Sequence, residues 1–173
     1  MSTANRLALG RLVELLQLEP HPEGGFYKES FRSEESLSGD VLPTRYKSTS
    51  RCHSTAIYYL LTRDCFSTMH RLQTDEVYHF YLGAPVEMLN CFADGSSKVV
   101  YLGADIENNQ HLQYMVPANT WQGSHICGEG DYALLGTTMA PGFDFSDYEE
   151  GVLNKLLSSY PDCQSLLSRL TRK

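Results

Sequence analysis

The stretch His70-Arg71-Leu72-Gln73-Thr74-Asp75-Glu76-Val77-Tyr78-His79-Phe80-Tyr81-Leu82-Gly83 decides the fold. His70 and Glu76 flank a short polar break at Gln73-Thr74-Asp75. The pattern reads as a hairpin, with His70 and Glu76 close across neighbouring strands although six positions separate them. A histidine and a carboxylate facing one cavity bind a metal or act as an acid–base pair.

Outward from this stretch the same texture repeats. Thr55–Leu61, Phe66–Leu72, Glu76–Leu82, Val86–Phe92, Lys98–Leu102, His111–Val116 and Asp131–Met139 each read as a strand. Turn chemistry separates many of them, at Thr62-Arg63-Asp64, Gly83-Ala84-Pro85, Asp94-Gly95 and Gly128-Glu129-Gly130. Short antiparallel strands at this spacing predict a sandwich or closed barrel, not alternating strands and helices. Gln122 to His125 reads as a turn region. Leu9, Leu12, Val13 and Leu16 recur at helical spacing until Pro20 and Pro22 stop them, which predicts a helix over about 5–17. After the barrel, over about 24–143, helical periodicity returns in about 147–172 through Val152, Leu153, Leu156 and Leu157, then Leu166, Leu167 and Leu170. Pro161 sits where a first helical turn tolerates it. One mainly β domain of 173 residues is expected.

Composition narrows the partners. Fourteen basic against twenty-one acidic side chains give a net charge of −7, which repels phosphate backbones, so nucleic-acid binding is not expected. No long apolar run or signal-like start is present, so neither membrane insertion nor export is expected. Five scattered cysteines without a Cys-x-x-Cys pair suit a reducing compartment, and a cytoplasmic location is expected.

His70, Glu76 and Gly83 resemble the first signature of the cupins, with Leu72 where the second histidine of that signature stands. Pro117 resembles the start of the second signature, with Gln122 in place of its histidine and Asn119 in place of its glycine. More closely, Pro20-His21-Pro22-Glu23-Gly24-Gly25-Phe26-Tyr27, Asp75-Glu76-x-x-His79-Phe80-Tyr81-x-Gly83, Trp121-Gln122 and Pro141-Gly142-Phe143-Asp144-Phe145 resemble a group of small cupins without a settled reaction. The resemblance implies a jelly-roll barrel, a homodimer and a pocket open at one barrel end.

A metal-binding cupin presents three histidines and a glutamate. Here the matching positions offer His70 and Glu76, with Gln122 as a neutral third ligand, so no cofactor is expected; a divalent transition metal on those three residues is the alternative. In the acid–base reading His70 is the base, Glu76 its orienting partner and a tyrosine, Tyr78, the acid. That arrangement is similar to the metal-free sugar-nucleotide 3,5-epimerases, and it suggests an isomerase or epimerase acting on a sugar-like or carbonyl substrate. Gln122, Trp121, Phe80 and His79 are the expected ligand-binding wall, although strand alternation sets His79 on the face opposite Glu76. A binding protein without catalysis and a metal-dependent oxygenase or lyase are the competing readings. His21 and Glu23 are expected to shape their turn, where Gly24 and Gly25 relax the backbone.

Overall fold

A computed structural model describes residues 9–172. The N-terminal helix α1 runs over Leu9–Leu15; the expected start near residue 5 lies outside the described residues. The strands are β1 (Glu19–Pro20), β2 (Phe26–Arg32), β3 (Ser36–Leu37), β4 (Arg51–Cys52), β5 (Thr55–Thr62), β6 (Phe66–Arg71) and β7 (Glu76–Gly83). They continue with β8 (Val86–Cys91), β9 (Ser97–Leu102), β10 (Gln113–Val116), β11 (Trp121–Ile126), β12 (Tyr132–Met139) and β13 (Glu149–Glu150). Helices α2 (Leu153–Ser159) and α3 (Gln164–Leu170) follow, with Pro161 opening the short 3₁₀ turn that leads into α3. Among the described residues no helix is long and apolar enough to cross a membrane.

Two antiparallel sheets face each other as a jelly roll. One has the order β1-β2-β5-β12-β7-β10 and the other β13-β6-β11-β8-β9. Tyr59, Leu61, Tyr78, Phe80, Val86, Met88, Val116, Ile126 and Leu135 fill the space between them. Alternation along each strand explains this: Glu76, Tyr78 and Phe80 of β7 are buried in turn, while Val77 and His79 are less so. Helix α1 lays Leu12 against Leu60 and Leu134 on the outside of the first sheet. Leu156, Leu167 and Leu170 of α2 and α3 cover Met69, Leu89 and Cys91 on the outside of the second.

Two expectations are corrected. The break at Gln73-Thr74-Asp75 is not a hairpin turn: β6 and β7 lie in different sheets, and the chain crosses the barrel there. A tight hairpin needs positive φ in its central residues, and neither Gln73 nor Thr74 adopts it. The corner is instead held from outside, where Arg45 Nε donates to the Gln73 carbonyl at 2.8 Å and Tyr46 Oη meets Thr74 Oγ1 at 2.7 Å. The supposed turn around Gln122 is β11, an interior strand paired with both β6 and β8. Pairing on both sides outweighs the poor strand preference of Gly123 and Ser124.

Candidate active site

The Pro20–Gly25 turn is the first element of the site. His21 N–H donates to the Gly25 carbonyl at 2.9 Å and Gly24 N–H to the His21 carbonyl at 3.0 Å. Gly24 takes φ +114°, and a Cβ there would stand 2.1 Å from the Phe66 carbonyl oxygen, so only glycine lets the turn press against β6. Thr68 N–H donates to the Glu23 carbonyl at 3.0 Å, and Tyr59 Oη donates to the Gly24 carbonyl at 2.9 Å. Thus stapled, the turn buries the Glu23 side chain inside the barrel.

The second element is an irregularity in β6. Gln122 faces His70 and Ser124 faces Ser67, so Thr68 and Met69 together stand against Gly123 alone. This bulge lets Ser67 and His70, three positions apart, reach the same carboxyl group. Ser67 Oγ and His70 Nε2 each lie 3.5 Å from Glu23 Oε2. Gly123 makes room for it, since a Cβ there would meet Met69 Sδ at 2.7 Å.

Ring nitrogens are assigned by their partners. His70 Nδ1 lies 2.8 Å from the Thr68 carbonyl, which only accepts, so Nδ1 carries a proton and Nε2 faces Glu23. His21 Nδ1 accepts from Glu23 N–H at 3.1 Å, which leaves the proton of its neutral ring on Nε2. From β11, Gln122 Nε2 donates across the barrel to Glu76 Oε2 of β7 at 2.7 Å.

Burial favours the neutral form of each group. Glu23 is pushed up to about 8, and Glu76 is also raised, by burial first. His21 is pushed down to about 4, and His70 is lowered by burial although Glu76 opposes the shift. Proton linkage gives these shifts a sign. Glu23 titrates near 4.5 when unfolded and near 8 when folded, so its contribution is full below 4.5 and is lost as pH rises to 8. His21 acts oppositely, and its contribution is lost as pH falls from 6.5 through 4. Between pH 6.5 and 8 the carboxyl shift acts without opposition from His21, and unfolding free energy should fall by about 2 kcal/mol. Urea titrations at both pH values measure the fall, which Glu23→Gln should largely remove.

A cavity of about 230 Å³ opens from these groups to the barrel mouth. Glu23, Glu76, Tyr59, Tyr78 and Thr137 give it a polar floor; Ile57, Leu72, Met139, Phe143 and Phe145 give it apolar walls. At the rim, Arg32 Nε and Nη2 donate to the two Glu29 carboxylate oxygens at 2.9 and 2.7 Å. Phe143 and Phe145 sit on a strap that crosses the mouth, their rings edge to face at 4.9 Å. The strap is anchored by Asp147, which accepts from Arg51 Nε at 2.8 Å and from Nη2 at 2.6 Å, both residues being buried. Tyr148, at its end, stacks on the His70 ring at 5.5 Å.

The structure divides the residues singled out from the sequence. Glu76 and Tyr78 line the cavity, and Gln122 holds Glu76 from behind. His70 is 1% exposed and stands behind Glu23, so its carboxyl contact is Glu23 and it reaches the cavity only through that group. Phe80 belongs to the core beneath. His79 lies on the outer face of its sheet, with Nε2 at 2.9 Å from Thr138 Oγ1 and Nδ1 at 2.9 Å from Gln113 Nε2. Trp121 packs towards α2 and α3 with the Arg71 guanidinium 4.6 Å from its ring centroid. Sequence reasoning missed Glu23 as a cavity residue. The signal was a carboxylate between Pro22 and Gly24-Gly25, a turn too constrained to serve its own geometry alone.

The residues at the cupin metal positions do not fit a metal as they stand. Leu72 is an apolar wall, Gln122 turns its N–H₂ group to Glu76, and His70 Nε2 faces Glu23. Among the described residues no three His, Cys, Asp or Glu side chains converge as ligands.

A double-sheet barrel with a polar pocket at one end is the architecture of a cupin. The chain belongs to the cupin superfamily: residues 10–150 match the family described as Cupin superfamily (DUF985). It is 29% identical over 150 residues to an uncharacterized protein of Saccharomyces cerevisiae, covering 82% of this chain and 74% of that protein. A hypothetical protein from Leishmania major superposes with TM-score 0.86 at 28% identity, covering 96% of this chain and 99% of the other. A Shewanella oneidensis protein superposes with TM-score 0.80 at 31% identity, covering 93% and 95%. Bacillus subtilis oxalate decarboxylase, at 12% identity, TM-score 0.52 and coverage of 89% and 38%, shares the fold alone.

Proposed function

We propose that the cavity is a proton-transfer site for a small sugar-like or carbonyl substrate, in the manner of an isomerase or epimerase. The observation that carries this reading is the contact of Glu23 Oε2 with His70 Nε2 at 3.5 Å, in a cavity that Glu76 also lines. Near neutral pH Glu23 retains a proton and His70 is a neutral imidazole, so the proton rests on Glu23 beside the open lone pair of His70 Nε2. Once that proton has left Glu23, with His70 Nε2 as the adjacent acceptor, Glu23 is a carboxylate facing the substrate and removes a proton from the carbon next to a carbonyl. Glu76 enters the cavity from β7, and its raised affinity for protons makes it the acid that protonates the carbonyl oxygen or returns a proton to the carbon. Two carboxyl groups lining one small cavity supply the base and the acid that a proton shift needs. His70 here is a positioning residue acting through Glu23, in place of the direct base role expected for it.

The test is solvent exchange. Protein in D₂O is incubated with a panel of α-hydroxy aldehydes, ketones and free sugars, and loss of the α-proton signal is followed by NMR. Exchange above the buffer rate, stereospecific at one carbon, is expected for at least one compound. Ligands that bind and raise the melting temperature without any exchange would overturn the enzymatic reading in favour of a binding protein.

A further inference from the structure

We propose that the molecule held in this cavity carries an amine, bound as its ammonium ion between Glu23 and Glu76 beneath aromatic rings. Glu23 and Glu76 are 8% and 6% exposed, and both line the cavity. Glu23 Oε1 accepts no hydrogen bond among the described residues, and Oε2 has the long approaches of Ser67 and His70, each at 3.5 Å, and of the His21 Nδ1 lone pair at 3.9 Å. Behind it, His70 Nε2 is a further lone pair, since the ring proton on Nδ1 is taken by the Thr68 carbonyl. The two carboxyl groups line the same space as the Tyr78 and Thr137 hydroxyls and the His21 ring.

Positive charge is present but already engaged. Arg32 is clamped by both oxygens of Glu29 and also donates to the Phe143 carbonyl at 3.2 Å. Arg172 donates to the Pro22 carbonyl and lies 3.8 Å from Glu150. A carboxylate or phosphate ligand would meet two buried carboxyl groups, with no free Lys or Arg among the described residues of the lining to hold it. An ammonium ion meets the opposite: two carboxyl groups, with Tyr27, Tyr59 and Phe143, whose rings have electron-rich faces, in the same lining. Such faces attract cations most strongly where water is excluded. Its arrival favours an ionised carboxylate beside it, so Glu23 passes its proton to the solvent as the ammonium docks. Only an O–H bond breaks, and the proton leaves to buffer.

This deepens the proton-transfer reading by giving its substrate a charge, yet binding is measured without turnover and so stands apart from it. Benzylamine, benzyl alcohol and benzoate are near-isosteric and differ in the charge of one group. By calorimetry at neutral pH, benzylamine should bind roughly tenfold more tightly than the alcohol, and benzoate should not bind. Repeating the titration in buffers of different ionisation enthalpy should show proton release with the wild type and none with Glu23→Gln. Glu29→Gln, at an exposed rim position, should unclamp Arg32 and let benzoate bind while the fold is unaffected. Benzoate binding the wild type as tightly as benzylamine, or no binding by any of the three, overturns the proposal. Benzylamine binding without α-proton exchange in any carbonyl compound keeps the amine site and removes the proton-transfer reading.

Discussion

Glu23→Gln should lower the rate of α-proton exchange by roughly 10²- to 10⁴-fold, the usual worth of a positioned acid–base group. The amide keeps the shape of the carboxyl group and its contact with Ser67, so the turn that carries it should still fold. It cannot exchange a proton with His70 Nε2, which lies 3.5 Å from Glu23 Oε2 in the wild type. His70→Asn tests the same pair from behind. Because His70 acts through Glu23, its loss should change the shape of the pH–rate profile as well as its height, while substrate affinity stays nearly constant. A merely structural role for His70 would lower stability and leave the profile of the remaining activity where it was. Full exchange activity in Glu23→Gln would remove the carboxyl group from the mechanism.

Arg51→Ala should cost about 3–5 kcal/mol of unfolding free energy, the largest single stability effect expected outside the core. Arg51 and Asp147 are 4% and 3% exposed and are joined by two hydrogen bonds of 2.8 and 2.6 Å. Removing the guanidinium leaves a buried carboxylate with no cation, which is why breaking the pair costs more than the pair itself contributes. The loss should also loosen the strap, since Phe143 and Phe145 stand at the cavity mouth and Tyr148 on the His70 ring. Replacing both partners, as in Arg51→Met with Asp147→Leu, should recover most of the stability but not the strap's register. Urea denaturation of the two single variants and the double variant measures this directly. A loss below about 1 kcal/mol, the range of a solvated surface pair, would show that the pair is not desolvated in solution.

Much of the architecture could be read along the chain because it rests on local patterns. The period-2 runs of β5 to β10 and β12, the turn residues between many of them and the leucine stripes of α2 and α3 each encode their own element. Glu76 and Tyr78 face inward for the same local reason, since two positions along a strand return to one face. His79 follows the same rule to the outside.

The site itself depended on contacts distant in sequence. His70 and Glu76 looked like neighbours across a hairpin, but the chain changes sheets between them, and His70 instead meets a carboxyl group supplied by residue 23. No local period announces that meeting. It needs the glycines at 24 and 25, the close approach to Phe66 and a bulge whose extra residue shows only when β6 is laid against β11. Trp121 went the other way, from expected pocket wall to helix packing, because β11 was not legible as a strand and so its facing could not be assigned. Sequence by itself determined a mainly β barrel flanked by helices and the inward side of β7, where one strand's alternation is enough. Which carboxyl group pairs with which imidazole, and which forms they take at neutral pH, was decided by the tertiary structure, because burial and long-range pairing set proton affinity and neither is a property of neighbouring residues.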